Sequence, residues 1–279
     1  MAAAELRALY PSGRYYAYRR TGRPLSGVRE TAVRLLRGYP LTTAPSFAVR
    51  LAVRAAARWL ERRYYNVPPY RAGGRLLDVG AGAGDYVGVV KALGWEAVGV
   101  EAHEAAAARA RAAGLDVLTG DAAAVLGRGA AAGPFDVVRM HHVLEHVTDA
   151  AGTLRAAAAA ARPGGTLYVA VPNAAGALAR LFGRYWYHWA LPFHRNHFSA
   201  QTLRRLLRAA GWRPTRVYFV SAPQGLARTV VRWLRCEFGI DVTLGDVAER
   251  GLSKALRPAT FLLDFLKVGD NLVVEAVRV

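Results

Sequence analysis

Between residues 72 and 172 the chain alternates short runs rich in Val and Leu with longer stretches whose apolar positions recur at helical spacing. The short runs fall at 75–79, 97–100, 116–118, 135–140 and 166–171, and they are largely apolar on both faces. That is the pattern of parallel strands covered on both sides by helices. The stretches at 85–93, 105–113 and 153–161 read as those helices, and the alanine run 156–161 is a good helix former. Gly94 and Gly114 stand where helices end, and Pro163-Gly164-Gly165 predicts a turn into the fifth strand. Two later runs, 217–220 and 272–277, bring the strands to seven. Strands alternating with helices of this length predict an α/β, doubly wound, seven-stranded sheet.

Residues 1–71 lack this alternation. The pattern over 44–63 predicts one amphipathic helix, with Arg50, Arg54, Arg58 and Arg62 on one face and Val49, Ala52, Val53, Ala56 and Leu60 roughly opposite. Asn66-Val-Pro-Pro reads as a linker. The chain therefore divides into a basic helical extension or lid, 1–71, and a main domain, 72–279, with a substrate-capping insertion near 174–200.

Composition sharpens this reading. Hydrophobic residues make up 53% of the chain, enough for a sizeable core, yet no apolar run reaches membrane-spanning length. The start, MAAAELRALY, lacks the basic-then-apolar order of a signal peptide. The single cysteine, Cys236, excludes an internal disulfide and suits a reducing compartment. The expected location is the cytoplasm. The net charge of +18 is uneven: residues 1–71 carry 14 Arg and 3 acids, 72–172 carry 8 basic residues and 10 acids, and 173–279 carry 16 and 7. A slightly acidic middle suits a cationic ligand. The basic flanks either reflect Arg- and Ala-rich composition or attract an anionic partner, and peripheral membrane contact through the 44–63 helix is one form of that.

The chemistry gathers at the ends of the predicted strands. Arg75–Val79 runs into Gly80-x-Gly82-x-Gly84, with Asp78 two residues before the first glycine. Glycines let the backbone turn tightly and a ligand lie against it, and the following helix directs free N–H groups there. A dinucleotide fingerprint is G-x-G-x-x-G; here the third glycine comes one residue early. Glu101 ends the second strand, where an acid can accept both hydroxyls of a ribose. Asp121 follows the third, placed for an adenine amino group. Met140-His141-His142 end the fourth and Pro172-Asn173 the fifth. Further histidines, His146, His194 and His197, follow, the last two inside an aromatic loop, YWYHWALPFHRNHF. These are the candidate general bases, together with His142.

The segments LLDVGAGAG, GWEAVGVE, FDVVRMHHVLEHV, LRAAAAAARPGGTLYVAVPN and HFSAQTLRRLLRAAGW resemble, in this order, the class I S-adenosylmethionine-dependent methyltransferases, and among them the ubiquinone-pathway O-methyltransferases. The likeness runs from about residue 64 to 212 and more weakly to the C-terminus. It implies the Rossmann-like fold of that class and S-adenosyl-L-methionine as cofactor. It also implies a site in which Asp78, Gly80, Ala81, Gly82 and Gly84 surround the methionine moiety. Glu101 and Ala102 would then meet the ribose, Asp121 and Ala122 the adenine, and Met140 and His141 would flank the cofactor. Ala81 stands where many members have Cys or Ser, and a methyl group fits there. In such relatives E-x-x-E-H holds Mg²⁺; here His142-x-x-Glu145-His146 puts a histidine first, a poorer ligand for a hard ion, and no metal site is assigned. H-x-x-E-H is also a zinc-protease pattern, with nothing else to support it.

The expected reaction is methyl transfer to O or N of a small-molecule, glycan or lipid-linked acceptor, with nucleic acid not favoured. The rivals are a nicotinamide-dependent dehydrogenase on the same sheet, opposed by the early Gly84 and by Asp121, and a methyltransferase-like protein that binds cofactor without catalysis. Neither the acceptor nor the oligomeric state is legible.

Overall fold

The structure is a computed structural model that describes residues 25–57, 60, 66–129, 131, 133–240 and 246–279, and of 246–250 the backbone alone. Its elements follow in chain order as α1 (Gly27–Arg37), α2 (Phe47–Ala55), β1 (Arg75–Val79), α3 (Asp85–Ala92), β2 (Glu96–Glu101), α4 (Glu104–Ala112), β3 (Val117–Thr119), α5 (Ala122–Gly127) and β4 (Phe135–His141). After these come α6 (Ala150–Ala160), β5 (Ala161–Pro172), α7 (Ala177–Phe182), α8 (Ala200–Ala209), β6 (Trp212–Phe219), α9 (Pro223–Phe238), α10 (Asp246–Ala255), α11 (Arg257–Phe265) and β7 (Asn271–Arg278).

The seven strands form one sheet in the order β3-β2-β1-β4-β5-β7-β6. β1 pairs in parallel with β2 and β4, and β2 with β3. β6 and β7 run antiparallel: the Val220 N–H donates to Asn271 and the Val279 N–H to Gly211, so the start of one strand meets the end of the other. The sheet is therefore mixed, a feature the sequence reading had not specified. All seven strands overlap the runs that the pattern placed, but β6 begins at Trp212, five residues before the predicted 217–220 run. β5 is longer than predicted and takes in Pro163-Gly164-Gly165, although Gly164 keeps a turn conformation at φ 72°. Gly94 and Gly114 each follow the C-cap residue, at φ 99° and 74°, the left-handed conformation that ends a helix.

The chain divides into two compact units. One holds the described residues up to Met140 with Arg155–Tyr168 and Arg278; the other holds His141–Leu154, Val169–Val277 and Val279. In the first, Val33, Tyr39 and Val67 share one core with Leu76, Val87 and Trp95. The Trp95 indole donates to the Tyr39 hydroxyl (2.7 Å), which donates to the Pro68 carbonyl (2.8 Å). The described N-terminal segment is thus packed on the same core as β1 and β2, and the unit boundary does not fall at residue 71. In the second unit a separate cluster forms around Trp186, Leu178, Ala179 and Leu226.

The predicted 44–63 helix is corrected at its start and is not unbroken, since α2 ends at Ala55 with Ala56 as its C-cap. Pro45 disfavours helical backbone at the residue before it, and α2 begins only at Phe47, capped by the Ser46 hydroxyl. Its inward side is narrower than expected: Val53 is buried, whereas Ala52 is exposed along with Phe47 and Leu51. Arg50 and Arg54 are exposed as predicted; Arg58 and Arg62 lie outside the described residues.

Candidate active site

The glycine turn is built for close approach. Gly80, Gly82 and Gly84 sit at φ 76°, 55° and 83°, conformations that side chains disfavour. A Cβ on Gly84 would lie 2.6 Å from Leu115 and 3.0 Å from Ala110, so this glycine also lets the turn press against α4. The sequence reading missed Gly99 of β2. A Cβ there would come 2.7 Å from Ala81 and 2.9 Å from Val117, so its missing side chain makes room beneath the turn.

Glu101 locks this turn. One carboxylate oxygen accepts the Gly82 N–H at 2.8 Å and the other the His103 N–H at 2.9 Å. Each oxygen keeps a lone pair for a further donor. The acid expected at the ribose therefore also holds the glycine turn in shape.

Asp78 is buried and held in an ion pair. The Arg139 guanidinium donates to it at 2.6 Å and lies 3.9 Å over the Tyr86 ring. Burial pushes the Asp78 pKa up, and the Arg139 charge opposes that rise. The sequence reading missed Arg139. Its signal was a charged residue inside an apolar strand, which the β1–β4 register sets directly beside Asp78. Asp121 is exposed and caps α5, accepting the Ala124 N–H at 3.1 Å through one oxygen. Ala81, Ala122 and Met140 are buried and Ala102 is exposed.

The histidines assemble in the second unit. His142 takes a left-handed backbone conformation, φ 56°, and its Nδ1 lies 2.8 Å from Oε1 of the buried Glu145. Its ring meets that of His141 edge-on at 4.7 Å. Burial drives the Glu145 pKa up, but the His142 hydrogen bond and the His142 and His146 charges outweigh it and hold it below the usual carboxylate value. The Glu145 carbonyl accepts the Arg195 and Asn196 N–H groups, and the Asn196 side chain donates to the Leu144 and Val147 carbonyls at 3.0 and 2.7 Å. Asn196, also missed, therefore splices the aromatic loop onto the turn after β4.

His146 and His194 share an orientation. Nδ1 of His146 faces the Phe193 carbonyl at 3.1 Å and Nδ1 of His194 the His188 carbonyl at 2.7 Å, and the rings meet edge-on at 4.7 Å. An Nδ1–H donating to a carbonyl leaves Nε2 as an acceptor or ligand. Burial pulls the His194 pKa down to about 4, so the ring is neutral near pH 7. Glu145, His146 and His194 offer ligand atoms within 4.8 Å of one another, and Glu145 Oε2 is buried without a hydrogen-bond partner among the described residues. These three residues fit a divalent ion without His142, the position whose histidine had argued against one. The His197 ring lies 6.5 Å from that of His194, and its Nε2 is 3.2 Å from the Trp189 carbonyl. Asn173 is buried and structural: its amide donates to the Gly269 carbonyl at 2.8 Å and accepts the Ala175 N–H.

An α/β sheet of this strand order, with a glycine turn after β1 and an acid closing β2, defines the class I S-adenosylmethionine-dependent methyltransferases, and S-adenosylmethionine is the cofactor of that class. Residues 50–217 match the family model described as a methyltransferase domain, and the chain belongs to this family. The ubiquinone biosynthesis O-methyltransferase of Caulobacter vibrioides is 37% identical over 124 residues, 42% of this chain and 49% of that protein. The chain spans about half the length of the curated relatives it matches. A SAM-dependent methyltransferase from Archaeoglobus fulgidus shares the fold with a TM-score of 0.52 at 19% identity, over 81% of this chain and 94% of that one. The cyclase SpnF also shares it, with a TM-score of 0.50 at 19% identity over 93% of this chain and 99% of that one. The fold thus hosts more than one chemistry, and the reaction must be argued from the site.

Proposed function

We propose that this chain transfers the methyl group of S-adenosylmethionine to oxygen, or nitrogen, of a small-molecule, glycan or lipid-linked acceptor. The observation that carries the reading is Glu101, whose two oxygens brace the glycine turn while keeping lone pairs for a diol. Bound there, the cofactor supplies an electrophilic methyl on a sulfonium, which in-line attack removes to leave S-adenosylhomocysteine. The glycine turn admits a close approach, with Ala81 buried within it and Met140 buried opposite Val79 before it. Glu101 holds the ribose end, and Asp121 offers its second oxygen to an amino group.

An acceptor hydroxyl must lose a proton as it attacks. His142 is the favoured base: Glu145 orients it through Nδ1, leaving Nε2 to take the proton, the arrangement that orients a base in other enzymes. His194, held neutral by burial, is the weaker base. A divalent ion would be held by Glu145, His146 and His194, and would supply positive charge to an acceptor oxygen. The described part of the N-terminal segment joins the core beside β1, and its role as a lid over the site is part of this proposal. Peripheral contact of α2 with an anionic surface is a second part, favoured by Phe47 and Leu51 standing exposed beside Arg50 and Arg54.

The test is calorimetric titration with S-adenosylhomocysteine, with NAD as control. Wild-type protein should bind the first and ignore the second. Glu101→Ala removes a charge-assisted diol contact worth about 1.5–3 kcal/mol, a loss of about ten- to a hundredfold. NAD binding would instead support the dehydrogenase. Wild-type affinity in Glu101→Ala would remove Glu101 from the site.

A further inference from the structure

Helix α11 is apolar on two sides. Its inner side joins the cluster of Leu178, Ala179, Trp186 and Leu226 through Leu263, and Thr260 is buried on it. Its outer side carries Phe261, Leu262 and Phe265, with Leu266 at the C-cap, which keep 52, 55, 62 and 56% of their surface exposed. Offsets of one, four and five residues put all four on one face. A surface helix ordinarily turns polar residues outward, so a contiguous face of large apolar side chains marks a contact surface.

The charges around it select the occupant. Arg257 opens the helix, Lys267 follows it, and both are exposed, as is Lys254 just before. The one acid of the helix, Asp264, turns away: it accepts the Ser221 N–H at 2.9 and 3.0 Å and the Ser221 hydroxyl at 2.6 Å. The outer face is apolar, edged by cations, and carries no carboxylate among its described residues. A second copy packed two-fold on this face would bring Arg257 and Lys267 towards the same two cations of the other copy, with no acid among the described residues of the face to offset them. No described helix is long and apolar enough to cross a bilayer.

We propose that the outer face of α11 lies on an anionic lipid bilayer. Phe261, Leu262, Phe265 and Leu266 enter the boundary between headgroups and acyl chains, and Arg257 and Lys267 meet the phosphates. The inference depends neither on methyl transfer nor on α2, which lies in the other unit and offers two apolar side chains where α11 offers four.

The experiment is sedimentation of the full chain with vesicles of phosphatidylglycerol or of phosphatidylcholine. Wild-type protein should pellet with the first at low salt and far less with the second. Phe261→Ser with Phe265→Ser should weaken binding by at least about tenfold, whereas Phe261→Leu with Phe265→Leu should stay within about threefold, since insertion needs apolar surface and not rings. Arg257→Gln with Lys267→Gln should weaken binding and flatten its salt dependence. Circular dichroism and S-adenosylhomocysteine binding should match wild type in every variant. The proposal fails if wild-type protein does not pellet with phosphatidylglycerol at low salt, or if the Ser variant falls short of the tenfold loss. It also fails if the Ser variant abolishes a lipid-free dimer, which would assign the face to a second copy. Failure of wild-type protein to bind S-adenosylhomocysteine would overturn the methyltransferase reading and leave this one standing.

Discussion

Asp78 was legible as the acid before the glycines, but not as one half of a buried ion pair. Motif spacing says which residues follow one another; only strand register says that Arg139 lies beside Asp78. Removing one partner of such a pair leaves an uncompensated buried charge, at about 3–5 kcal/mol. Arg139→Leu should therefore destabilise the chain by roughly that amount in a urea titration, and adding Asp78→Asn should recover part of the loss. An unchanged midpoint in the single variant would show that Asp78 is already neutral. The histidines show the same limit: their positions were plain, while the division of labour among His142, His146, His194 and His197 came only from which ring nitrogen faces which carbonyl or carboxylate.

Strands were the most legible elements, because a run covered on both faces is apolar wherever it lies in the chain. The helices after residue 172 were less so. α7 and α11 carry large apolar residues on exposed as well as buried sides, Leu181 against Leu178 and Phe261 against Leu263, and periodicity alone does not separate the two. α2 shows the problem in miniature. Its arginine face was readable, but the exposure of Phe47 and Leu51 was not. If α2 meets an anionic surface, Arg50→Gln with Arg54→Gln should weaken binding to phosphatidylglycerol vesicles at low salt. Each basic residue near such a surface contributes about 1 kcal/mol, so the loss should approach thirtyfold in vesicle titrations and vanish at high salt. Equal binding by the variant would make the arginines an ordinary solvated face.

The sequence divides the molecule into an N-terminal lid and a domain. In the structure the described N-terminal segment and the sheet of the first unit share one core. Tyr39 carries much of that join, and burial pushes its pKa up to about 12. In the unfolded chain it ionises near 10. Its contribution is therefore whole below pH 10 and is lost as the pH rises towards 12, because the unfolded state alone releases the proton. Denaturant midpoints measured across that window should fall more steeply for wild-type protein than for Tyr39→Phe. The variant should start about 1 kcal/mol less stable at neutral pH for want of the two hydrogen bonds. Parallel slopes would show that Tyr39 ionises in the fold as freely as in water. Nothing in a single sequence announces such a residue: Tyr39 and Trp95 stand 56 positions apart, and only the folded core introduces them.

The left-handed backbone at His142 sets local strain against the company that Glu145 keeps. Glycine would relax that conformation, by about 1–2 kcal/mol, but would delete the imidazole and strand the buried Glu145 carboxylate, at about 3–5 kcal/mol. His142→Gly should therefore melt lower than wild-type protein and turn over acceptor more slowly, by about a hundredfold or more if His142 is the base. A library of this chain screened for heat resistance alone should reach glycine at position 142 only together with a neutral residue at 145, and the same library screened for methyl transfer should never keep it.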